Sequence, residues 1–211
     1  MKIRISTGEK SRVATEKAKK ICAVSENQMA VLHMECINED EIIDNVGMSA
    51  VQAKYWITLY DTEEGKKQWS SVPYTVSGYT IPETLLLRDM EINGELKKVL
   101  VVSAKDRIQL IDAENGTVIR EGIFREDIVN VVQADKRRLL VGLSDGSVMI
   151  GTVEDMSANT EVGSVSGKIL DFTFSPEHQQ VIWTMKSGKK GLFWGKADRS
   201  TDEVGKSGKR K

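Results

Sequence analysis

Apolar positions in this sequence fall in short runs rich in Val, Ile and Leu, separated by clusters of Gly, Asp, Asn and Ser. No run keeps a period of about 3.6 residues over helical length, so the pattern predicts strands joined by turns. The plainest unit is 139–152. Residues 139–143 form one apolar run, Ser144-Asp145-Gly146 supplies turn chemistry, and 147–152 forms a second run. Asp-Gly favours a hairpin, because glycine tolerates positive φ and aspartate can hydrogen-bond its own backbone. Gly146 is therefore expected at positive φ.

The rest of the chain repeats this unit. The first copy has strands at 21–24, 29–37 and 55–61, then the turn Thr62-Glu63-Glu64-Gly65 and a short outer strand at 68–72. Within 29–37, Ala30, Leu32, Met34 and Cys36 share a face, since strand side chains alternate. An acidic insertion at 38–45, continued by small residues to about Ala53, interrupts this copy. The second copy has strands at 84–88 and 98–104, the turn Lys105-Asp106, a strand at 107–112 and an outer one at 117–120. The third runs from 128–132 through the hairpin to an outer edge at 160–165. The fourth has 169–174, 180–185, a turn at 186–190 and 191–195, with no outer strand legible. Ahead of the first copy, 2–6 alternates like a strand. Residues 10–20 carry Lys10, Arg12, Lys17, Lys19 and Lys20 among few apolar residues and read as a solvated helix or arm.

Asp61, Asp112, Thr152 and Gly195 close equivalent third strands. Their spacing suits the roughly 40–45 residues of a four-stranded propeller blade, with extra loop in the first interval. The strand and turn of 55–61 with Glu64-Gly65, and of 107–112 with Asn115-Gly116, resemble the Trp-Asp ending that names the WD-repeat family. Ser144-Asp145-Gly146-Ser147-Val148 resembles that family's inner hairpin. Phe172-Thr173-Phe174-Ser175-Pro176-Glu177 resembles its first strand and the turn after it. The resemblance covers residues 20 to 200 or so and implies an all-β fold of β-propeller blades, each of four antiparallel strands. About four blades fit, making a partial or small propeller. The chain then divides into a basic N-terminal arm (1–19), WD-repeat-like blades (20–204) and a basic tail (205–211). An open array leaves apolar sheet faces and an unpaired edge exposed. A second copy, or a partner supplying the missing blades, is expected to cover them.

Charge and composition then narrow the function. Lys and Arg number 30 against 31 Asp and Glu, a net charge of -1 that by itself points to neither nucleic acid nor an acidic partner. No window approaches the roughly 18 apolar residues of a membrane span, and the first residues lack a signal peptide's apolar core. Two cysteines, Cys22 and Cys36, make no disulfide framework. The expectation is an intracellular protein, cytoplasmic or nuclear, with no membrane contact.

Candidate chemistry is sparse. Cys22, His33 and Cys36 are the one metal-like group, but His33 and Cys36 stand three apart on a single strand and so face opposite ways. Both cysteines read as buried free thiols. The tail Gly205-Lys206-Ser207-Gly208-Lys209 lacks the glycine spacing of a phosphate loop, and no serine sits in a nucleophile elbow. His178 lies in a polar turn. Trp56, Trp183 and Trp194 fall within strands and read as core or inter-blade packing. No catalytic residue, cofactor or metal is expected, and the chain is not read as an enzyme.

The resemblance implies a non-catalytic scaffold, a subunit of a multiprotein complex that binds other proteins through blade rims and loops. The candidate contact residues are Lys105, Asp106, Ser144, Asp145, Lys186, Lys189 and Lys190, in the second-to-third-strand turns of three units; the insertion 38–45 is another. The alternative is a nucleic-acid-associated component of a ribonucleoprotein or ribosome-biogenesis complex, using the basic arm and the tail residues Lys206, Lys209, Arg210 and Lys211.

Overall fold

The computed structural model describes residues 2–3, 10–11, 17–37, 52–77, 84–156, 160–164, 169–175, 177–178, 180–185 and 190–194. They contain strands and turns and no helix, hence none long and apolar enough to cross a membrane. A short antiparallel pair, β1 (Lys2–Ile3) and β2 (Lys10–Ser11), comes first. Four antiparallel sheets follow in chain order. The first holds β3 (Ala18–Ser25), β4 (Gln28–Cys36), β5 (Gln52–Asp61) and β6 (Lys67–Ser70); β7 (Tyr74–Ser77) also pairs with β5. The second holds β8 (Thr84–Ile92), β9 (Glu95–Ala104), β10 (Arg107–Asp112) and β11 (Val118–Ile123). The third holds β12 (Ile128–Gln133), β13 (Arg138–Leu143), β14 (Ser147–Thr152) and β15 (Thr160–Ser164). In the last, β16 (Ile169–Ser175), β17 (Gln180–Met185) and β18 (Lys190–Trp194) pair in sequence.

Consecutive strands return antiparallel within each sheet, and in the first sheet β7 pairs back onto β5 rather than onto β6. The hairpin around Gly146 forms as its sequence predicts. Gly146 has φ of 97°, and Asp145 Oδ1 accepts the Ser147 N–H at 2.9 Å, closing the turn through its own side chain. The third-strand endings of the first two sheets also match in chemistry. Asp61 Oδ1 accepts the N–H of Glu63 and Glu64 at 2.8 and 2.9 Å, and Asp112 Oδ1 accepts that of Glu114 at 2.8 Å.

The sheets stack face to face with an apolar core in each gap. Leu32, Tyr55, Ile57 and Leu59 of the first sheet meet Leu85, Leu100 and Val102 of the second. The alternate residues of the same second-sheet strands, Val99, Val101, Ile108 and Leu110, meet Ile128, Leu139, Val141 and Leu143 of the third. Leu140 and Val148 of the third then meet Ile169, Phe172 and Val181 of the last. β9 is buried on both faces, which is why it reads as the unbroken run Val99-Leu100-Val101-Val102 rather than as alternation. The first strands of successive sheets are neighbours, β3 beside β8 and β12 beside both β8 and β16, so the sheets fan out from one edge.

Several sequence-based bounds need correction. The second sheet's first hairpin is longer than the runs 84–88 and 98–104. Asn93 and Gly94 turn it with φ of 53° and 83°, and the charged stretch between is strand, with Met90 and Ile92 inward. The first sheet's outer strand stops at Ser70; Val72 is 74 % exposed, and β7 makes a second ladder with β5. Residues 10–20 are not a helix where described: Lys10–Ser11 is β2, and β3 begins at Ala18. Lys190 is the first residue of β18, opposite Thr184, rather than the end of a turn.

Trp183 is half-buried against the third core, beside Val181. The tightest inter-sheet approach in that core is at Gly142, where a Cβ would stand 2.5 Å from Cε1 and 2.8 Å from Cδ1 of the Phe172 ring. Gly142→Ala is therefore expected to destabilise by about 1–3 kcal/mol, as overpacking does. Phe172→Leu in the same chain should restore part of the loss. Urea melts of the single and double variants test this; independent, additive losses would mean that the two residues do not press on one another.

Candidate functional site

The turns singled out by sequence come together through a segment that sequence did not single out. Four residues, 124–127, connect β11 to β12 and cross one end of the stack between two turns. Phe124 N–H donates to the Asp106 carbonyl at 2.7 Å, and Ile128 N–H to the Lys105 carbonyl at 2.6 Å. On the far side, Ser144 N–H donates to the Asp127 carbonyl at 2.8 Å, and Ser144 Oγ lies 3.2 Å from Glu126 Oε2. Lys105, Asp106, Ser144 and Asp145 thus share a continuous surface with Arg125, Glu126 and Asp127. The signal for those three was available: a short charged run between an outer strand and the next inner strand must pass over the end of a sheet.

Arg125 locks this surface to the third sheet. Its Nη2 donates to Ser147 Oγ at 2.6 Å and to Glu161 Oε2 at 2.8 Å, and sits 3.2 Å from Asp145 Oδ2. Ser147 is buried, and its hydroxyl donates to Asp145 Oδ1 at 2.6 Å. The Glu161 hydrogen bond raises the Arg125 pKa further, with the charge of Asp145 adding to it. Partial burial pushes the Asp145 carboxyl upward. The hydrogen bonds from the Ser147 hydroxyl and N–H, with the Arg125 charge, outweigh this and hold it below the usual aspartate value.

Lys105 adopts φ of 57°, uncommon for a side chain with a Cβ, and its ammonium donates to the Ser77 carbonyl at the end of β7. That bond ties the turn of the second sheet to the first. Lys186 and Lys189, the insertion 38–45 and the tail 205–211 lie outside the described residues, as does the Lys190 side chain. Cys36 packs toward the first core while His33 of the same strand points the other way, onto Trp56, as alternation predicts. Cys22 and Cys36 are both half-buried free thiols.

At the opposite end, Arg137 in the β12–β13 turn reaches Glu154 Oε1 at 2.5 Å and lies 3.9 Å from Glu91 Oε1 on β8. The Glu91 N–H donates to the Lys136 carbonyl at 2.7 Å. This is a second clamp between neighbouring sheets.

No family model and no curated protein matches this chain. Among solved structures it is similar to the computationally designed Ika4 protein, at 14% identity and a TM-score of 0.48, over 72% of this chain and 88% of that one. It is similar to a chain of a Mitotic Checkpoint Complex structure at 10% identity and 0.44, over 80% and 43%. It is also similar to the designed Ika8 protein at 13% and 0.49, over 82% and 44%. The match spans less than half of the last two chains.

Because Asp145 is held below its ordinary value, its contribution to stability is complete above about pH 4 and disappears as pH falls through the folded-state value. Asp145→Asn should be less stable than the parent at neutral pH, and the gap should narrow toward about pH 3. Urea midpoints across that range decide it; a constant gap would show that the charge of Asp145 is not what matters.

Proposed function

We propose that this chain is a partial β-propeller of WD-repeat type that serves as a non-catalytic scaffold in a multiprotein complex. The observation that supports this most is the end surface, where two hairpin turns and the 124–127 connection are fixed by backbone hydrogen bonds and Arg125, Glu126 and Asp145 are exposed. A rigid frame with variable side chains suits recognition better than chemistry. The fan of meander sheets with neighbouring first strands supports the propeller reading.

The charge balance of this surface suggests the partner's character. Lys105 is occupied by the Ser77 carbonyl and Arg125 by Asp145 and Glu161. Asp106 and Asp127 have carboxylates without an ion pair or hydrogen bond among the described residues, and Glu126 has only the Ser144 hydroxyl. The surface is thus anionic on balance, suiting a protein segment that presents Lys or Arg and repelling nucleic acid at this site. A second copy or another protein would cover the outer faces of the end sheets.

Copurification tests the reading. The parent chain should retain a defined set of proteins, and Asp106→Lys/Asp127→Lys should lose them without a change in melting temperature. Retention of the same set by both would remove this surface from consideration. Recovery of nuclease-sensitive RNA in place of proteins would favour the ribonucleoprotein alternative.

A further inference from the structure

Asparagine followed by glycine occurs at Asn93-Gly94 and Asn115-Gly116, and aspartate followed by glycine at Asp145-Gly146. These pairs share a chemistry. The glycine amide nitrogen can close on the side-chain carbonyl carbon of the residue before it, because no Cβ blocks the approach. All three glycines stand in turns at positive φ, 83°, 78° and 97° respectively, so the sign of φ does not separate them. Their surroundings do.

At the second pair both reacting groups are held. Asn115 Oδ1 accepts the Thr117 N–H at 2.9 Å, and the Gly116 N–H donates to the Asp112 carbonyl at 2.9 Å. Gly116 also lies against Trp69, where a Cβ would stand 2.5 Å from Cε3 of the ring. At the third pair the side chain is a carboxylate, kept ionised by the Ser147 hydroxyl and N–H and by Arg125, and an anion is a poor target for a nucleophile. The Gly146 N–H is taken by the Leu143 carbonyl at 3.1 Å. The first pair has none of these restraints. Asn93 and Gly94 are both exposed, and nothing lies within 4 Å of a Cβ built at Gly94. The Asn93 side chain and the Gly94 N–H make no hydrogen bond among the described residues.

We infer that Asn93 is a site of covalent modification, deamidating through Gly94 ahead of the other two pairs. The Gly94 nitrogen gives its proton to solvent and bonds to Asn93 Cγ, and the side-chain nitrogen leaves as ammonia, giving a cyclic imide. Water then opens the ring at either carbonyl. One opening leaves aspartate on an ordinary backbone; the other leaves isoaspartate, whose backbone is longer by a methylene. The reaction consumes water alone and involves no oxidant or reductant. It depends on neither the scaffold reading nor the end surface.

The product acts on the fold through the hairpin. Asn93 and Gly94 are the whole turn between the paired residues Ile92 and Glu95, and loop length fixes the register of such a hairpin. Met90 and Ile92, on the arm leading into the turn, are buried in the core shared with the third sheet. A longer backbone there strains that pairing, and the new carboxylate stands near Glu91 and Glu95, adding like charge. Modification at Asn93 therefore loosens the contact between the second and third sheets.

The test is incubation of the full chain at mildly alkaline pH, followed by peptide mass spectrometry with chromatographic separation of isoaspartate. In the folded chain Asn93 should react about tenfold or more faster than Asn115, whose two hydrogen bonds must first break. In urea the two asparagines should react at similar rates. Asn93→Gly, which suits the positive φ, should abolish the reaction at this turn and keep the urea midpoint constant on incubation, while that of the parent falls. Equal rates at Asn93 and Asn115 in the folded chain would overturn the proposal. So would an Asn93 that stays intact when folded while both sites react in urea. A parent midpoint that does not fall once Asn93 is converted would overturn the link to the core.

Discussion

The constraint on which this structure depends is that its interior sheets have no polar face to turn to water. Val99, Leu100, Val101 and Val102 alternate between two different cores, and all four are fully buried. Such a strand can exist only between two other sheets, so the second sheet requires both the first and the third. Each buried Val or Leu contributes about 1.5–3 kcal/mol relative to exposure, so the inter-sheet cores supply most of the stability. Folding of one sheet is thereby coupled to its neighbours, as in other stacked arrays.

Polar contacts play a different part. The Arg125 and Arg137 clusters are partly exposed, and pairs of that kind each contribute little to stability. What they do is geometric. Aliphatic faces slide over one another at small cost, whereas Arg125 on Asp145, Ser147 and Glu161 and Arg137 between Glu91 and Glu154 each permit one arrangement of connection and sheet. With Gly142 against Phe172 setting the closest approach in the third core, the stack has a fixed angle as well as a fixed order. That fixity is what allows the end surface to present Asp106, Glu126 and Asp127 in a constant pattern.

The strands most legible in sequence are those with uninterrupted apolar runs between turn residues: the bounds of β10, β14 and β17 follow directly from them. The far end of the β8–β9 hairpin is hidden by its charge. Arg88, Asp89, Glu91, Glu95, Lys97 and Lys98 look like a loop, yet all are strand: Arg88, Glu95 and Lys97 pair directly with Val99, Ile92 and Met90, Asp89, Glu91 and Lys98 lie on the other face, and Asn93-Gly94 is the turn signal between the two arms. β7 escapes a sequence reading for another reason. It lies beyond the sheet's nominal last strand, and nothing in Tyr74-Thr75-Val76-Ser77 says that β5 is long enough to hold two partners end to end. At the candidate site, the turns at Lys105 and Ser144 can be read from local chemistry. Arg125 to Asp127 are harder to read, because their role arises from a crossing between two sheets.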